Sequence, residues 1–187
     1  VRFLSCFSIV AFAVSGFAGA AQSRQSVAAA PVVEGFADGV EAYVKIVQNL
    51  ESSVPSQKPT DEPEQIADRQ QQLTGLIANA RLGAQQGDIF TGEVAERFHK
   101  IIRKAFREPG GRAMRKTIEE RNPVKRIVLK VNDVYPDDQT RTTMPPTLLR
   151  RLPVLPRELA YRIIGHVLVL QDTRTNLIVD FIPNAIP

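Results

Sequence analysis

The chain has 187 residues, of which 43% are hydrophobic, 24% charged and 6% aromatic, with 13 prolines, no tryptophan and a single cysteine. A domain of about 150 residues hides roughly two-thirds of its unfolded surface without cross-links, and the composition excludes collagen-like, disulfide-scaffold and wholly disordered chains. The net charge of +4 conceals a polarity: residues 24–96 carry five basic and eleven acidic side chains, residues 97–130 twelve and three, and the stretch after Lys130 six and six.

Arg2, the uncharged apolar run Phe3–Phe17 and the small-x-small triplet Ala18-Gly19-Ala20 read as an export signal over residues 1–20. The run is short for a bilayer span, so no transmembrane segment is expected once the signal is removed. Its cleavage would remove Cys6, the single thiol, and place the mature chain in the periplasm or outside the cell with no disulfide, thiolate nucleophile or Cys-ligated metal. Residues 21–31, rich in Ala, Ser and Gln, read as a flexible leader.

A helical region is expected over 32–122. Phe36, Val40, Tyr43, Val44, Val47 and Leu50 recur at helical spacing, predicting a first helix from Val32 to Ser53 that ends before Pro55 and Pro59. Asp61 and Glu64 around Pro63 are the signals of a second helix, with Ile66, Leu73, Leu76, Ile77 and Ala80 as its apolar face and a stop near Gly87. Gly87-Asp88-Ile89-Phe90 reads as a turn, and Thr91 as the N-cap of a third helix over Gly92–Arg107 whose buried stripe is Val94, Phe98, Ile101, Ile102 and Ala105. Pro109-Gly110-Gly111 breaks it, and a shorter helix runs to Arg121 before Asn122-Pro123.

The hydrophobic period then falls to two, and an antiparallel region is expected over 123–187. Ile127, Leu129 and Val131 predict a strand, Tyr135–Thr143 a polar loop, and Pro145–Arg151 a turn of helix. The runs Leu159–Ile164, Val167–Leu170 and Leu177–Ile182, joined by Gly165-His166 and Asp172–Asn176, form a β-meander, because links this short join only antiparallel neighbours. The expected class is α+β, with three to four helices packed on a small C-terminal sheet.

Gln86–Thr91 with the basic helix after it, and the ending Leu159–Arg162, Gly165–Asp172 and Asn176–Ile186, together resemble a group of uncharacterised secreted bacterial proteins. That resemblance implies export and brings no activity. The tail from Pro153 to Ile182, with its Pro-rich entry, Tyr-Arg strand, Gly turn and closing Val-Asp, is similar to the β-module of periplasmic nickel and cobalt homeostasis proteins. Those proteins are His-rich toward the N-terminus, whereas this chain has two His in all.

The basic excess concentrates on the third helix, where Arg97, Lys100, Arg103, Lys104 and Arg107 fall opposite the apolar stripe. Such a face suits an anionic polymer or lipid surface of the envelope, or a protein partner, and equally a solvated face neutralised by the acidic first two helices. Nucleic acid is disfavoured, because no aromatic interleaves the cations to stack bases. His99 and His166 lack the spacing of metal ligands, and Asp137-Asp138 suit a turn better than a calcium loop, so no metal or cofactor is expected. There is no G-x-S-x-G elbow and no phosphate-binding glycine loop. The remaining enzymatic reading is carboxylate-dependent hydrolysis of an envelope glycan, with Asp88, Glu93, Glu119 and Glu120 as candidates. No catalytic residue is assigned, and the chain reads as a non-enzymatic accessory or binding protein. Tyr161, Arg162, Asp172 and Asp180 attract notice in the meander, but turn chemistry and strand alternation predict that Asp172 merely opens a turn and that Arg162 or Asp180 simply points outward.

Overall fold

In a computed structural model the helical stripes become packing faces around one apolar core. The structure describes residues 31–53, 62–121, 128–135 and 142–187. In chain order it contains α1 (Pro31–Ser53), α2 (Pro63–Ala80), α3 (Gly92–Arg107), α4 (Gly111–Arg121), β1 (Thr142–Thr143), α5 (Pro146–Leu149), β2 (Leu159–Ile164), β3 (Val167–Asp172) and β4 (Ile178–Ile182). The fold is α+β, helices first and an antiparallel sheet last. The sheet order is β1-β2-β3-β4, three full strands with the two-residue β1 at one edge.

The stripes of α1 and α3 are where spacing put them. Phe36, Val40, Tyr43 and Val47 of α1 and Val94, Phe98, Ile102 and Ala105 of α3 are buried. Thr91 caps α3 by accepting from the Val94 amide. Both helices lie on the sheet face that carries Leu159, Tyr161, Ile163, Leu168 and Leu170. Phe36 stacks on Phe90 at 5.4 Å between ring centroids, Phe98 meets Phe90 edge-on at 5.1 Å, and Tyr161 joins from β2 at 6.0 Å from Phe98. Offset and edge contacts of this kind each add about 0.5–1.5 kcal/mol to area burial. The far sheet face holds a smaller cluster of Tyr135, Ile164, Val169 and Ile178.

Three expectations fail locally. α2 ends at Ala80, well before Gly87, because Arg81 leaves the helix to bond across the molecule. Only Leu73 and Ile77 of its expected face are buried, while Ile66 and Leu76 are exposed; Asp61 lies outside the described residues. The expected strand at 127–131 is absent from its described part: Val128–Lys130 are irregular and Val131-Asn132 form a turn. Asn132 takes the left-handed conformation at φ 66°, which Asn tolerates, and so interrupts the alternation. The segment still seals the sheet, because Asn132 N donates to Ile178 O, Ile178 N to Asp133 O and Tyr135 N to Asn176 O. Finally, the loop expected over Tyr135–Thr143 contains β1, whose Thr142 and Thr143 pair with Ile163 and Arg162.

Candidate functional site

Arg97, Lys100, Arg103, Lys104 and Arg107 are all exposed on α3. At 100° per residue they occupy about a third of the helix circumference and about 15 Å of its axis, opposite Phe98 and Ala105. Their position in the last three turns, with Glu93 in the first, also complements the helix dipole. Among the described residues none of the five is ion-paired, so the expected neutralisation by the acidic helices is not built as direct contacts. Arg103 Nε instead donates to the His99 carbonyl at 3.3 Å. Burial, and then Arg103, lower the proton affinity of the His99 imidazole below its ordinary value.

The patch continues around the α3–α4 corner. Arg107, Arg112 and Lys116 line a shallow depression of about 730 Å³ with Phe106, Pro109 and Gly110. Glu108 also lines it, but its carboxylate is taken by Arg151. Arg115 lies over the Phe106 ring at 5.3 Å. The corner is tight because Gly111 packs against the end of α3: a Cβ there would meet the Phe106 carbonyl oxygen at 2.1 Å.

The meander residues are placed otherwise than expected. Asp180 does not point outward; it is 0% exposed. Its Oδ1 accepts from the amides of Gly87 at 2.9 Å and Phe181 at 2.8 Å, and its Oδ2 from Ile89 at 2.9 Å and Phe90 at 2.7 Å. The cause is a register shift between β3 and β4: Leu170 faces Asp180 but Gln171 faces Ile178, leaving Val179 as an extra residue. Such a bulge turns two successive side chains to one face. Asp172 does open its turn, accepting from the amides of Arg174 and Thr175 at 2.8 and 3.1 Å. It is nevertheless 0% exposed and also accepts from the Tyr43 hydroxyl at 2.9 Å. Arg174 bridges this carboxylate to Glu51 of α1 at 2.6 Å. Burial first, and Asp172 second, push the Tyr43 hydroxyl far above its ordinary range. Arg81 lies 5.0 Å over the Tyr43 ring and donates to Asn132 Oδ1 and Val179 O. Arg162 is half-buried and donates to Gln171 at 2.9 Å. Tyr43, Arg81, Asp172, Arg174 and Asp180 join the helical part to the sheet region, while Arg162 bonds within the sheet.

Among the described residues no group of three or more His, Cys, Asp or Glu is placed to hold a metal ion. His166 is exposed in the β2–β3 turn, its Nδ1 within 2.8 Å of the Ile186 carbonyl. Asp137 and Asp138 lie outside the described residues. Asp88, Glu93, Glu119 and Glu120 are exposed, on the loop before α3, its first turn and the end of α4, and Glu120 pairs with Lys116 at 3.8 Å. No helix among the described residues is long and apolar enough to cross a membrane.

The sequence reading missed a groove of about 510 Å³ between α5 and the start of β2, lined by Leu149, Arg150, Pro153, Val154 and Tyr161 among others. A signal was present in Val154 and Leu155, apolar residues held between Pro153 and Pro156 where no ladder can absorb them.

Comparison with known protein families, with curated proteins and with solved structures finds no match.

Proposed function

We propose that this is an exported, non-enzymatic binding protein that meets an anionic component of the cell envelope through the basic face of α3 and the α3–α4 corner. The observation that carries this reading is five exposed cations on one helix face, with no ion pair among the described residues. Arg112 and Lys116 extend the same charge onto α4. Cations left to solvent across such a stretch attract phosphate-bearing surfaces by long-range electrostatics, with little demand on shape. Export is supported by the apolar leader, and the absence of a thiol after its removal suits an oxidising compartment. Nothing in the site favours the glycan-hydrolase reading, since none of its four carboxylates lines the grooves described above.

Sedimentation with phosphatidylglycerol vesicles tests this. The protein should pellet with them at low salt, stay in solution with neutral phosphatidylcholine vesicles, and be released near 1 M salt, where the screening length falls to about 3 Å. Reversing Lys100, Arg103 and Arg107 together to Glu should abolish pelleting while the protein stays folded, its melting temperature lowered only by the lost complement to the helix dipole. Failure to pellet with anionic vesicles at low salt overturns the reading.

A further inference from the structure

The basic depression at the α3–α4 corner opens onto a second groove. Gly110 and Ala113 line both, and the second, of about 480 Å³, runs between α4 and the Met144–Thr147 link into α5. Gly110, Ala113, Met114, Thr117, Ile118 and Arg121 supply its helical wall, recurring at spacings of three and four along one face of α4. That face gives the groove a length of about 15 Å.

The two cavities differ in chemistry. The corner carries Arg107, Arg112 and Lys116; Glu108 there is engaged by Arg151, and Glu120 stands 3.8 Å from Lys116 across largely exposed side chains. The groove is apolar until it reaches Arg121, and its floor is formed by the buried Met114, Ile118 and Met144. Its two hydroxyls are occupied: Thr117 Oγ1 donates to the Ala113 carbonyl at 3.0 Å and Thr147 Oγ1 to the Met114 sulfur at 3.6 Å. Pro145 and Pro146 bring no N–H to the opposite wall, and their carbonyls accept from the amides of Leu148, Leu149 and Arg150. Such a trough offers water few hydrogen bonds, and its methionines adapt to an irregular apolar occupant. The saddle between the cavities, Gly110 and Ala113, carries nothing larger than a methyl group.

We propose that the corner and this groove together bind one lipid phosphate, its phosphate among Arg107, Arg112 and Lys116 and one acyl chain laid over the saddle along α4. Three cations around one mouth fix the anionic end of the ligand, and the two arginines suit a phosphate's oxygens. The apolar trough that begins where the cations stop fixes the other end. An acyl chain reaches across one leaflet, about 15 Å of a hydrocarbon core about 30 Å thick, which matches the length of the groove. This inference rests on the reading of the corner as an anion-binding surface and adds the chain that the anion must carry.

The chain's two methionines, Met114 and Met144, both line the groove, so isotope-labelled methionine methyl groups report its occupancy by NMR in the full protein. The probe is dodecyl phosphate, with inorganic phosphate and the uncharged dodecyl maltoside for comparison, both detergents below their micelle concentrations. Dodecyl phosphate should shift both methyl signals saturably, inorganic phosphate should leave them in place, and dodecyl maltoside should bind about tenfold or more weakly. Replacing Arg112 and Lys116 together by Gln should weaken dodecyl phosphate by a similar factor, and so should Ala113→Leu, which raises the saddle. All three side chains are exposed, and thermal melts check the fold; if Ala113→Leu does not fold, the double variant decides. The inference is overturned if dodecyl phosphate moves neither signal by about 1 mM, if dodecyl maltoside binds equally well, or if the double variant binds as wild type does. Protein that pellets with phosphatidylglycerol vesicles but shows no methyl shift overturns this inference alone. Protein that shows the shift but fails to pellet overturns the surface reading and leaves the lipid site standing.

Discussion

Asp180 is the most heavily engaged side chain in the described structure, with four backbone amides converging on one carboxylate that has no contact with water. Removing it would strand the amides of Ile89 and Phe90 in the core, each at a cost of about 1–3 kcal/mol. Asp180→Ala should therefore lower stability by about 3 kcal/mol or more, read as a shift of the urea midpoint. Asp180→Asn, which keeps one acceptor but brings an NH2 against a donor, should fall between it and wild type. Tyr43 makes a second such link. Tyr43→Phe removes the 2.9 Å bond to Asp172 and should cost about 1–2 kcal/mol at neutral pH. Burial, reinforced by Asp172, raises the hydroxyl's proton affinity in the folded state, so the unfolded chain releases its proton first as the solution becomes alkaline. Its contribution is thus complete below about pH 10 and is lost progressively above it. Urea midpoints between pH 8 and 11 should fall more steeply for wild type than for Tyr43→Phe, with Tyr161, raised by burial, supplying part of the decline in both. Neither aspartate's partner was readable from neighbouring residues. Tyr43 lies 129 positions from Asp172, and a one-residue bulge decided which way Asp180 faced.

Helices and strands were readable wherever a stripe of one period ran long enough. α3 is bounded as its cap and its glycines dictate, and β2 spans the residues its apolar run marked out. Reading failed where an element is set by a distant partner. Arg81 stops α2 by turning to Asn132 and Val179, and Asn132 diverts what alternation makes a strand. The α3–α4 corner depends on contact distance in the same way. Gly111→Ala, with its new carbon 2.1 Å from the Phe106 carbonyl oxygen, must push α4 off α3 and should destabilise by about 1–3 kcal/mol. Gly35→Ala in α1, with nothing within 4 Å, should instead be neutral or stabilise by up to about 1 kcal/mol. Paired chemical denaturation curves check both.

Across the whole molecule, the fall of the hydrophobic period from helical to two foretold the class, and the charge layout foretold the exposed cations of α3. The acidic first helices are expected to mask that face, yet among the described residues Glu41 pairs with Lys45 on the same helix and Glu51 with Arg174 at the β3–β4 turn. The groove at β2 was hidden because it depends on where a two-residue strand ends, which no periodicity reports. Its apolar wall reads in sequence as no more than a proline-rich connection.

The Asp180 clamp has a consequence for how the protein is made. The turn that launches α3 is fastened by a residue 90 and 91 positions further along the chain than the amides it holds, so a chain emerging from the ribosome carries its helices before that fastening exists. The helical half cannot lock until β4 has been made, and the nascent polypeptide stays pliable until then.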